Sequence, residues 1–256
     1  MSAAAIHKLV EDAPPFEPTR KGAALTDFYA YMPAHSYLYV PTRELWPASS
    51  VNSHVQTWPK ATDGTPLAPN KWIDANRAVE QIVWHPGTAE VIEDAVMQAG
   101  GWRVHKGAKV FNLYLAPLPM PGTAAAAAPW VDHVRRVYPN DADHIIKWLA
   151  HRIQHPGVKC NHAIVLGGMQ GIGKDTILEP VKTGVGPWNW QEVSPTQMLG
   201  RFNGWAKSVV LRVNEARDLG DVDRFSFYDH IKNYICAPPD VLRVDEKNLR
   251  EHSTTW

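Results

Sequence analysis

A glycine-rich loop at residues 168–174 carries the clearest chemical signal in this sequence. The apolar run at 163–166 leads into it, and a helix is expected to begin near Lys174. Glycines let backbone N–H groups converge on the β-phosphate of a nucleotide, and the positive end of the helix favours the same anion. Lys174 would reach the β- and γ-phosphates, so the loop predicts binding of a nucleoside triphosphate, with a ligand-free glycine turn as the alternative. The predicted nucleotide-binding residues are Gly168, Gly171, Ile172, Gly173, Lys174, Asp175 and Thr176.

A nucleotide-hydrolysing site also needs residues beside this loop that bind a metal ion and polarise a water molecule. The hydroxyl residue that usually follows the lysine and holds Mg²⁺ is replaced by Asp175, with Thr176 next, and a carboxylate can also bind Mg²⁺. A second apolar run, 208–213, ends in Asn214 and Glu215. We expect Glu215 to polarise the attacking water and Asn214 to stand where an aspartate often holds metal-bound water. A strand that ends in ordinary surface residues is the alternative.

The elements around the loop alternate between strands and helices. Such alternation favours a parallel sheet with helices on its faces. The expected elements are a helix at 130–138, a helix that Asp141 caps and that ends before Pro156, a strand at 163–166, a helix at 175–182, a strand at 190–193, a helix that Ser194 caps, and a strand at 208–213.

The N-terminal half predicts mixed α/β structure with long loops and contains no chemical motif. Strands are expected at 37–40 and 110–114, and a helix at 89–99, stopped by two glycines. Five alanines between prolines are too short a run to nucleate a helix alone, so a linker is favoured there. The predicted organisation is an N-terminal region at 1–122, a linker at 123–129 and a loop-bearing domain at 130–256.

Composition limits the classes of protein that fit. The chain is 45% hydrophobic and 20% charged, as in ordinary globular proteins. Its formal net charge is zero, so affinity for nucleic acid must come from a local basic surface. Two cysteines are too few for a disulfide framework, and no signal peptide or membrane-spanning run is visible, so we expect a cytoplasmic protein without a membrane partner.

The C-terminal residues 240–250 predict a hairpin. Leu242 and Val244 alternate with Arg243 and Asp245, and 246–248 has the composition of a turn. Its basic side chains could contact a nucleic-acid backbone, but neighbouring carboxylates dilute that charge, and charge alone favours a solvated hairpin. The basic residues concerned are Arg243, Lys247, Arg250 and His252.

Three stretches together resemble the ATPase domain of superfamily 3 helicases, and more narrowly the phage and prophage primase-helicase proteins with a poxvirus-type helicase domain. Residues 167–176, 210–218 and 230–244 match, in order, the Walker A, Walker B and B′ motifs of that family. The resemblance implies an α/β P-loop NTPase fold of AAA+ type, with a parallel-sheet core and preceding helices, beside the mixed α/β N-terminal region. It covers the domain at 130–256.

The same resemblance implies an activity and partners. Members of the family hydrolyse ATP with Mg²⁺, form rings that are commonly homo-hexamers, and move on single-stranded DNA in replication. In the family a strand ending in asparagine and an arginine finger follow the hairpin; neither precedes Trp256, so a truncated version that binds ATP without hydrolysis or unwinding is expected. The catalytic residues implied are Lys174 and Glu215, and the DNA-contacting candidates are Lys232, Arg243, Lys247 and Arg250.

Two other functions fit parts of the pattern. A nucleoside monophosphate kinase can also carry a Gly-Lys-Asp-Thr loop, although no arginine-rich lid follows the core here. A non-catalytic remnant that binds nucleotide, DNA or a protein partner is the alternative from a different class.

Overall fold

The computed structural model describes residues 22–98, 101–118, 121–214, 223–236, 241–245 and 252–255. The chain forms two compact units, Met1–Ala78 and Val79–Trp256. The units therefore divide at a different place from the linker expected at 123–129, and residues 79–122 share a unit with the glycine loop.

The described part of the first unit, residues 22–78, contains a sheet whose strands β1, β2 and β3 pair antiparallel and two α-helices. Strand β2 lies between β1 and β3, and its register places Tyr37 opposite Ala30 and Trp46. Aromatic and aliphatic side chains from the strands and helices form its core, in which Phe28 and Tyr37 are fully buried. The strand predicted at 37–40 is confirmed as β2. The elements are β1 (Phe28–Tyr31), β2 (Ser36–Tyr39), β3 (Glu44–Trp46), α1 (Ala48–His54) and α2 (Pro69–Asn76), and β4 (Ala78–Val79) spans the unit boundary.

In its described residues, the second unit combines a five-stranded mixed sheet, a two-stranded parallel sheet and five α-helices. Its strands are β5 (Gln81–Trp84), β6 (Val91–Gln98), β7 (Gly101–Asn112), β8 (Trp190–Val193), β9 (Val210–Val213), β10 (Val241–Val244) and β11 (His252–Thr255). Its helices are α3 (Ala128–Val137), α4 (Ala142–Gln154), α5 (Lys174–Val185), α6 (Pro195–Met198) and α7 (Arg224–Ile235).

The larger sheet has the strand order β10-β11-β5-β7-β6. The hairpin predicted near 240–250 is present as β10 and β11, and β11 pairs in parallel with β5, so the hairpin belongs to the sheet. The predicted turn at 246–248 lies outside the described residues. The strand predicted at 110–114 is confirmed as the end of β7.

The helix predicted at 89–99 is wrong, because this segment is strand β6. It pairs antiparallel with β7 along almost its whole length, from Val91 opposite Phe111 to Gln98 opposite Gly101. The β-branched residues of the segment favour a pleated, half-buried surface, and the pairing supplies backbone hydrogen bonds that a helix would otherwise provide. Gly101, expected to follow the end of a helix, begins the next strand instead.

Helices α3, α4 and α5 pack around a shared apolar core. The buried side chains include Val134 from α3, Leu149 from α4 and Ile177 from α5. The helices predicted at 130–138, after Asp141 and at 175–182 are confirmed, although the Asp141 side chain makes no capping hydrogen bond. The alanine run is a 3-10 turn, Ala124–Ala127, that leads into α3, because alanine favours helical backbone and the first turn tolerates a proline.

Strands β8 and β9 pair in parallel, as the predicted strands at 190–193 and 208–213 require. Ser194 caps α6 through a reciprocal capping box with Gln197, which confirms that prediction. The strand predicted at 163–166 is not formed: Ile164 and Leu166 pack against the core, but Val165 is 90% exposed and no described strand pairs with the segment. The parallel-sheet core of a P-loop fold therefore stays a prediction.

Among the helices that the structure describes, none has the length and apolar character that a membrane span needs.

Candidate phosphate-binding site

The glycine loop bends in a way that suits glycine alone. Gly168, Gly171 and Gly173 have φ angles of 143°, 82° and 92°, a region that residues with a Cβ atom rarely adopt. Gly173 is the N-cap of α5 and has no side chain to accept from the first turn of the helix. The amides at the start of α5 therefore depend on another partner, and an anion at the helix terminus is a suitable one.

Lys174 folds back across the loop that precedes it. Its Nζ donates to the carbonyl oxygens of Gly168 at 3.0 Å and Met169 at 2.8 Å. The ammonium group is thus held at the loop by two neutral acceptors. Phosphate oxygens could replace these carbonyls as acceptors, and their negative charge would attract the ammonium group more strongly than a neutral carbonyl does.

Helix α3 holds both ends of the loop. The hydroxyl of Tyr138 donates to the carbonyl of Gly167 at 2.9 Å, and Nε2 of His133 lies 3.0 Å from the carbonyl oxygen of Gly173. A carbonyl only accepts, so the proton of this hydrogen bond must be on Nε2 of His133. Burial raises the pKa of Tyr138, which keeps its hydroxyl a donor.

The contacts from α3 were not predicted from the sequence. Trp130 makes a third one, because its indole Nε1 donates to the carbonyl of Ile177 in α5 at 2.9 Å. The available signal was the placing of polar-tipped rings on one amphipathic helix, at Trp130 and His133, and at Tyr138 directly after it. Such rings usually find a hydrogen-bond acceptor when they are buried.

A chain of polar contacts connects the first turn of α5 with strands β8 and β9. Nη2 of Arg212 lies 2.5 Å from Oδ1 of Asp175, and Nη1 of the same guanidinium lies 3.9 Å from Oε2 of Glu192. The amide of Asn214 donates to Oε2 of Glu192 at 3.2 Å. Asp175 and Asn214, both predicted from the sequence to belong to one metal site, are therefore joined through Arg212 and Glu192.

Glu192 contacts several of these groups, and the contacts favour its ionised form. The hydrogen bond from the indole of Trp190 contributes most to lowering the pKa of Glu192, and the hydrogen bond from the side-chain amide of Asn214 contributes next. Burial raises this pKa, and the positive charges of Arg212 and Lys182 lower it further. Its side chain remains 34% exposed, so water screens part of these interactions.

Glu192 and Arg212 were missed by the sequence reasoning, although a signal was present. Each is a charged residue inside a short, largely apolar strand: Arg212 lies between Leu211 and Val213, and Glu192 precedes Val193. A charge in such a position is costly unless it has a partner, so two opposite charges in adjacent parallel strands predict an ion pair.

Asn214 has one oxygen that no described group satisfies. Its Oδ1 is buried and has no hydrogen-bond partner in the structure. Buried acceptors are normally paired with protein or with water. A water molecule, including one held by a metal ion, would satisfy this oxygen, and the metal role of Asn214 stays a prediction.

The described side chains fit Mg²⁺ only in the manner of a nucleotide-bound ion. No described cluster of three or more His, Cys, Asp or Glu side chains could hold a metal by itself. Mg²⁺ that accompanies a nucleotide usually takes one or two protein ligands and completes its shell with phosphate oxygens and water. Asp175, exposed apart from its Arg212 contact, and the exposed Thr176 can supply such ligands.

The other predicted site residues divide between described and undescribed parts of the chain. Lys232 donates to Asp229 at 2.8 Å, which raises the pKa of Lys232, and its ammonium stands 4.6 Å from the ring centre of Tyr228. The backbone carbonyl of Arg243 accepts from the amide of Asn203 at 2.8 Å. Glu215, Lys247 and Arg250 lie outside the described residues.

Comparison with known proteins gives a likeness of fold. No family model and no curated protein matches the chain. The apo structure of the NrS-1 C-terminal region is similar over 89% of this chain and 51% of that chain, with a TM-score of 0.61 and 15% sequence identity. This chain thus spans about half the length of that structure. At this identity the likeness concerns the fold alone.

Proposed function

We propose that this chain binds ATP together with Mg²⁺ through residues 168–174 and is the nucleotide-binding part of a DNA helicase of the superfamily 3 type. The observation that carries the proposal is the loop itself. Three glycines with positive φ lead into a helix that starts at Lys174 without a side-chain cap. Glycines of this conformation ahead of an uncapped helix would allow backbone N–H groups to donate to the phosphates of a nucleotide.

Lys174 supplies the charge of the proposed site. Its ammonium group would leave the carbonyls of Gly168 and Met169 and donate to the β- and γ-phosphates. The contacts of His133 and Tyr138 would keep the loop ends in place during that exchange. Binding would then require movement of one side chain and little movement of the backbone.

Residues in the first turn of α5 would bind the metal ion, and residues that follow β9 would hold and polarise the water. Mg²⁺ supplies neutralising charge to the phosphates when it is bound. Asp175 and Thr176 are the proposed ligands beside the phosphates, and Asn214 would hold metal-bound water. Glu215, the residue after Asn214, is the proposed group that polarises the attacking water.

The wider activity follows from the motif resemblance. We assign to the chain a place in a homo-oligomeric ring, commonly a hexamer, that couples ATP hydrolysis to movement on single-stranded DNA. Contact with DNA through the hairpin and the helix before it belongs to the same proposal. The candidate residues are Lys232, which lies on α7, and Arg243, Lys247 and Arg250.

The experiment that tests nucleotide binding is calorimetric titration with ATP and Mg²⁺. Lys174→Ala should weaken binding tenfold or more, because loss of a charge-assisted hydrogen bond costs on the order of 1.5–3 kcal/mol. Lys71→Ala, which removes an exposed lysine of α2 in the first unit, is the matched control and should bind as the parent does. Equal affinity in Lys174→Ala and the parent would remove the assignment.

A further inference from the structure

Helix α4 and the loop that follows it form a basic cleft, which we call the α4 cleft. Its volume is about 360 Å³, at the small end of the range for ligand pockets. Trp148 and Cys160 also line it, and no carboxylate is among its described lining residues. The basic lining side chains are His144, Lys147, His151, Lys159 and His162.

The helical repeat explains why the three basic residues of α4 line the same cleft. His144, Lys147 and His151 are spaced by three and four residues, so they share one face of α4. The opposite face is buried, with Ile145 and Leu149 in the core of the unit. The basic face of α4 therefore lines the cleft.

Arg152 explains how the basic residues of the loop after α4 reach this cleft. Its guanidinium is buried and donates to backbone carbonyls at Pro156 and Val158, which folds the chain back after α4 ends. The loop that begins this way carries Lys159 and His162 to the same cleft. A single buried arginine thus brings two separate basic segments together.

The charge of the α4 cleft is concentrated. Nε2 of His144 lies 3.2 Å from Nε2 of His162, and the two rings are stacked. In a hydrogen bond between two imidazoles one must accept, so this pair carries at most one positive charge, while Lys147 and Lys159 add one each. The nearby carboxylate of Asp143 is engaged by Arg135 at 3.8 Å. In a chain with no net charge, this is a local basic surface.

We propose that the α4 cleft binds the phosphodiester backbone of single-stranded nucleic acid. Lysine and imidazole N–H groups are donors for phosphate oxygens, and exposed rings among them suit the bases of an unpaired strand. The cleft has no glycine loop and no helix N-terminus among its described lining residues, so it is not built for one triphosphate. It is a second phosphate-binding surface whose described lining includes no residue of the glycine loop or of the hairpin. Nζ of its Lys159 donates to the carbonyl of Asn233 in α7 at 3.3 Å, so the cleft adjoins the helix that carries Lys232.

The two cysteines give a direct test of where a strand binds. Cys160 lines the cleft, whereas Cys236 lies exposed after the end of α7. Alkylation by iodoacetamide, followed by mass spectrometry, is measured with and without an oligodeoxythymidylate. The oligonucleotide should slow modification of Cys160 several-fold, whereas Cys236, one helical turn after Lys232, reports on the contact proposed for that lysine. Protection of neither cysteine, or of Cys236 alone, would overturn the proposal.

Charge reversal supplies the second test. In fluorescence anisotropy with a labelled oligodeoxythymidylate, Lys147→Glu should weaken binding about tenfold and flatten the log–log salt dependence by about 0.7, the share of one phosphate contact. Lys71→Glu, at an exposed position in the first unit, should change neither quantity. Equal effects of the two substitutions would overturn the proposal.

Two further experiments distinguish nucleic-acid binding at the cleft from binding of other anions there, and from binding of the strand at the glycine loop. Polyglutamate or inorganic phosphate, at matched ionic strength, should compete poorly, and displacement by either at concentrations comparable to the oligonucleotide would assign the cleft to another ligand class. Lys174→Ala should bind the oligonucleotide as the parent does. Loss of oligonucleotide binding in that variant would place the strand at the glycine loop and overturn the proposal, whatever the outcome for ATP.

Discussion

The two phosphate-binding sites that we propose, the glycine loop and the α4 cleft, would bind their ligands by different means. The loop would use backbone N–H groups beside three positive-φ glycines, with Lys174 as its cationic side chain. The cleft uses side chains alone, on a helix face and a following loop. One site depends on backbone shape and the other on the number of charges.

This difference predicts opposite sensitivities. Binding at the loop should fail when the backbone is perturbed, because donors displaced by a fraction of an ångström no longer converge. Binding at the cleft should tolerate such changes and weaken as salt rises, because counterion release drives it. Substitutions near the loop should therefore affect ATP without affecting an oligonucleotide.

The largest effect is expected from a glycine series in the loop. Gly173→Ala should lower ATP affinity by more than tenfold, because φ is 92° and the new Cβ would meet the His133 ring at 2.6 Å. Gly171→Ala should cost less, since its φ is 82° but the space around it is open. Calorimetric titration of each variant with ATP and Mg²⁺ measures the series.

Gly167→Ala is the control within the same loop. Its backbone is not in the left-handed region, and a Cβ atom there would meet nothing within 4 Å. We expect parental ATP affinity in this variant and parental oligonucleotide binding in all three. A Gly173→Ala protein that bound ATP as well as Gly167→Ala does would break the distinction between a shape-dependent site and a charge-dependent site.

An intermediate effect is expected from Glu192→Gln, and it should depend on pH. The pKa of Glu192 is lowered in the folded chain, so its stabilising effect is present above the ordinary carboxyl pKa of about 4.3 and is lost as the pH falls through the lowered value. The parent should be more stable than Glu192→Gln by about 1 kcal/mol near pH 7, a modest value because the side chain is partly exposed.

Thermal melts between about pH 7 and about pH 3 measure this difference. The gap in melting temperature between parent and Glu192→Gln should close as the pH falls. Glu179→Gln, at an exposed position on α5, should show no such gap. A gap that stayed constant with pH would contradict the charged role of Glu192.

The smallest effect is expected from Tyr138→Phe. This change removes the hydrogen bond to the carbonyl of Gly167 and leaves the ring in place. An exposed hydrogen bond contributes about 0.5–1 kcal/mol, so ATP affinity should fall about three-fold. Tyr31→Phe in the first unit serves as the control for the loss of a hydroxyl. Weaker oligonucleotide binding in Tyr138→Phe would show that the two sites are coupled.

Much of the fold around the loop could be predicted from local patterns. Helices α3, α4 and α5 and strands β8 and β9 lie where the spacing of apolar residues placed them. The segment at 89–99 could not be assigned correctly, because its pairing with β7 outweighs local helix preference. The segment at 163–166 has the composition of a strand, but no described strand pairs with it.

The sequence by itself determined the features that depend on neighbouring residues. The spacing from Gly168 to Lys174, the capping box at Ser194 and the helical phase of α4 are all contained within a few consecutive positions. Backbone conformation and helix geometry act over that range, so the order of residues alone is enough to identify the candidate nucleotide loop.

Only the tertiary structure decided which distant groups meet. It brings His133 to Gly173, Arg212 to Asp175 and the loop after α4 to its basic face. It also joins the C-terminal hairpin to β5, far earlier in the chain. These contacts result from the burial of apolar faces and the need to pair buried polar groups, which are properties of the whole packed unit and have no signature at any one position.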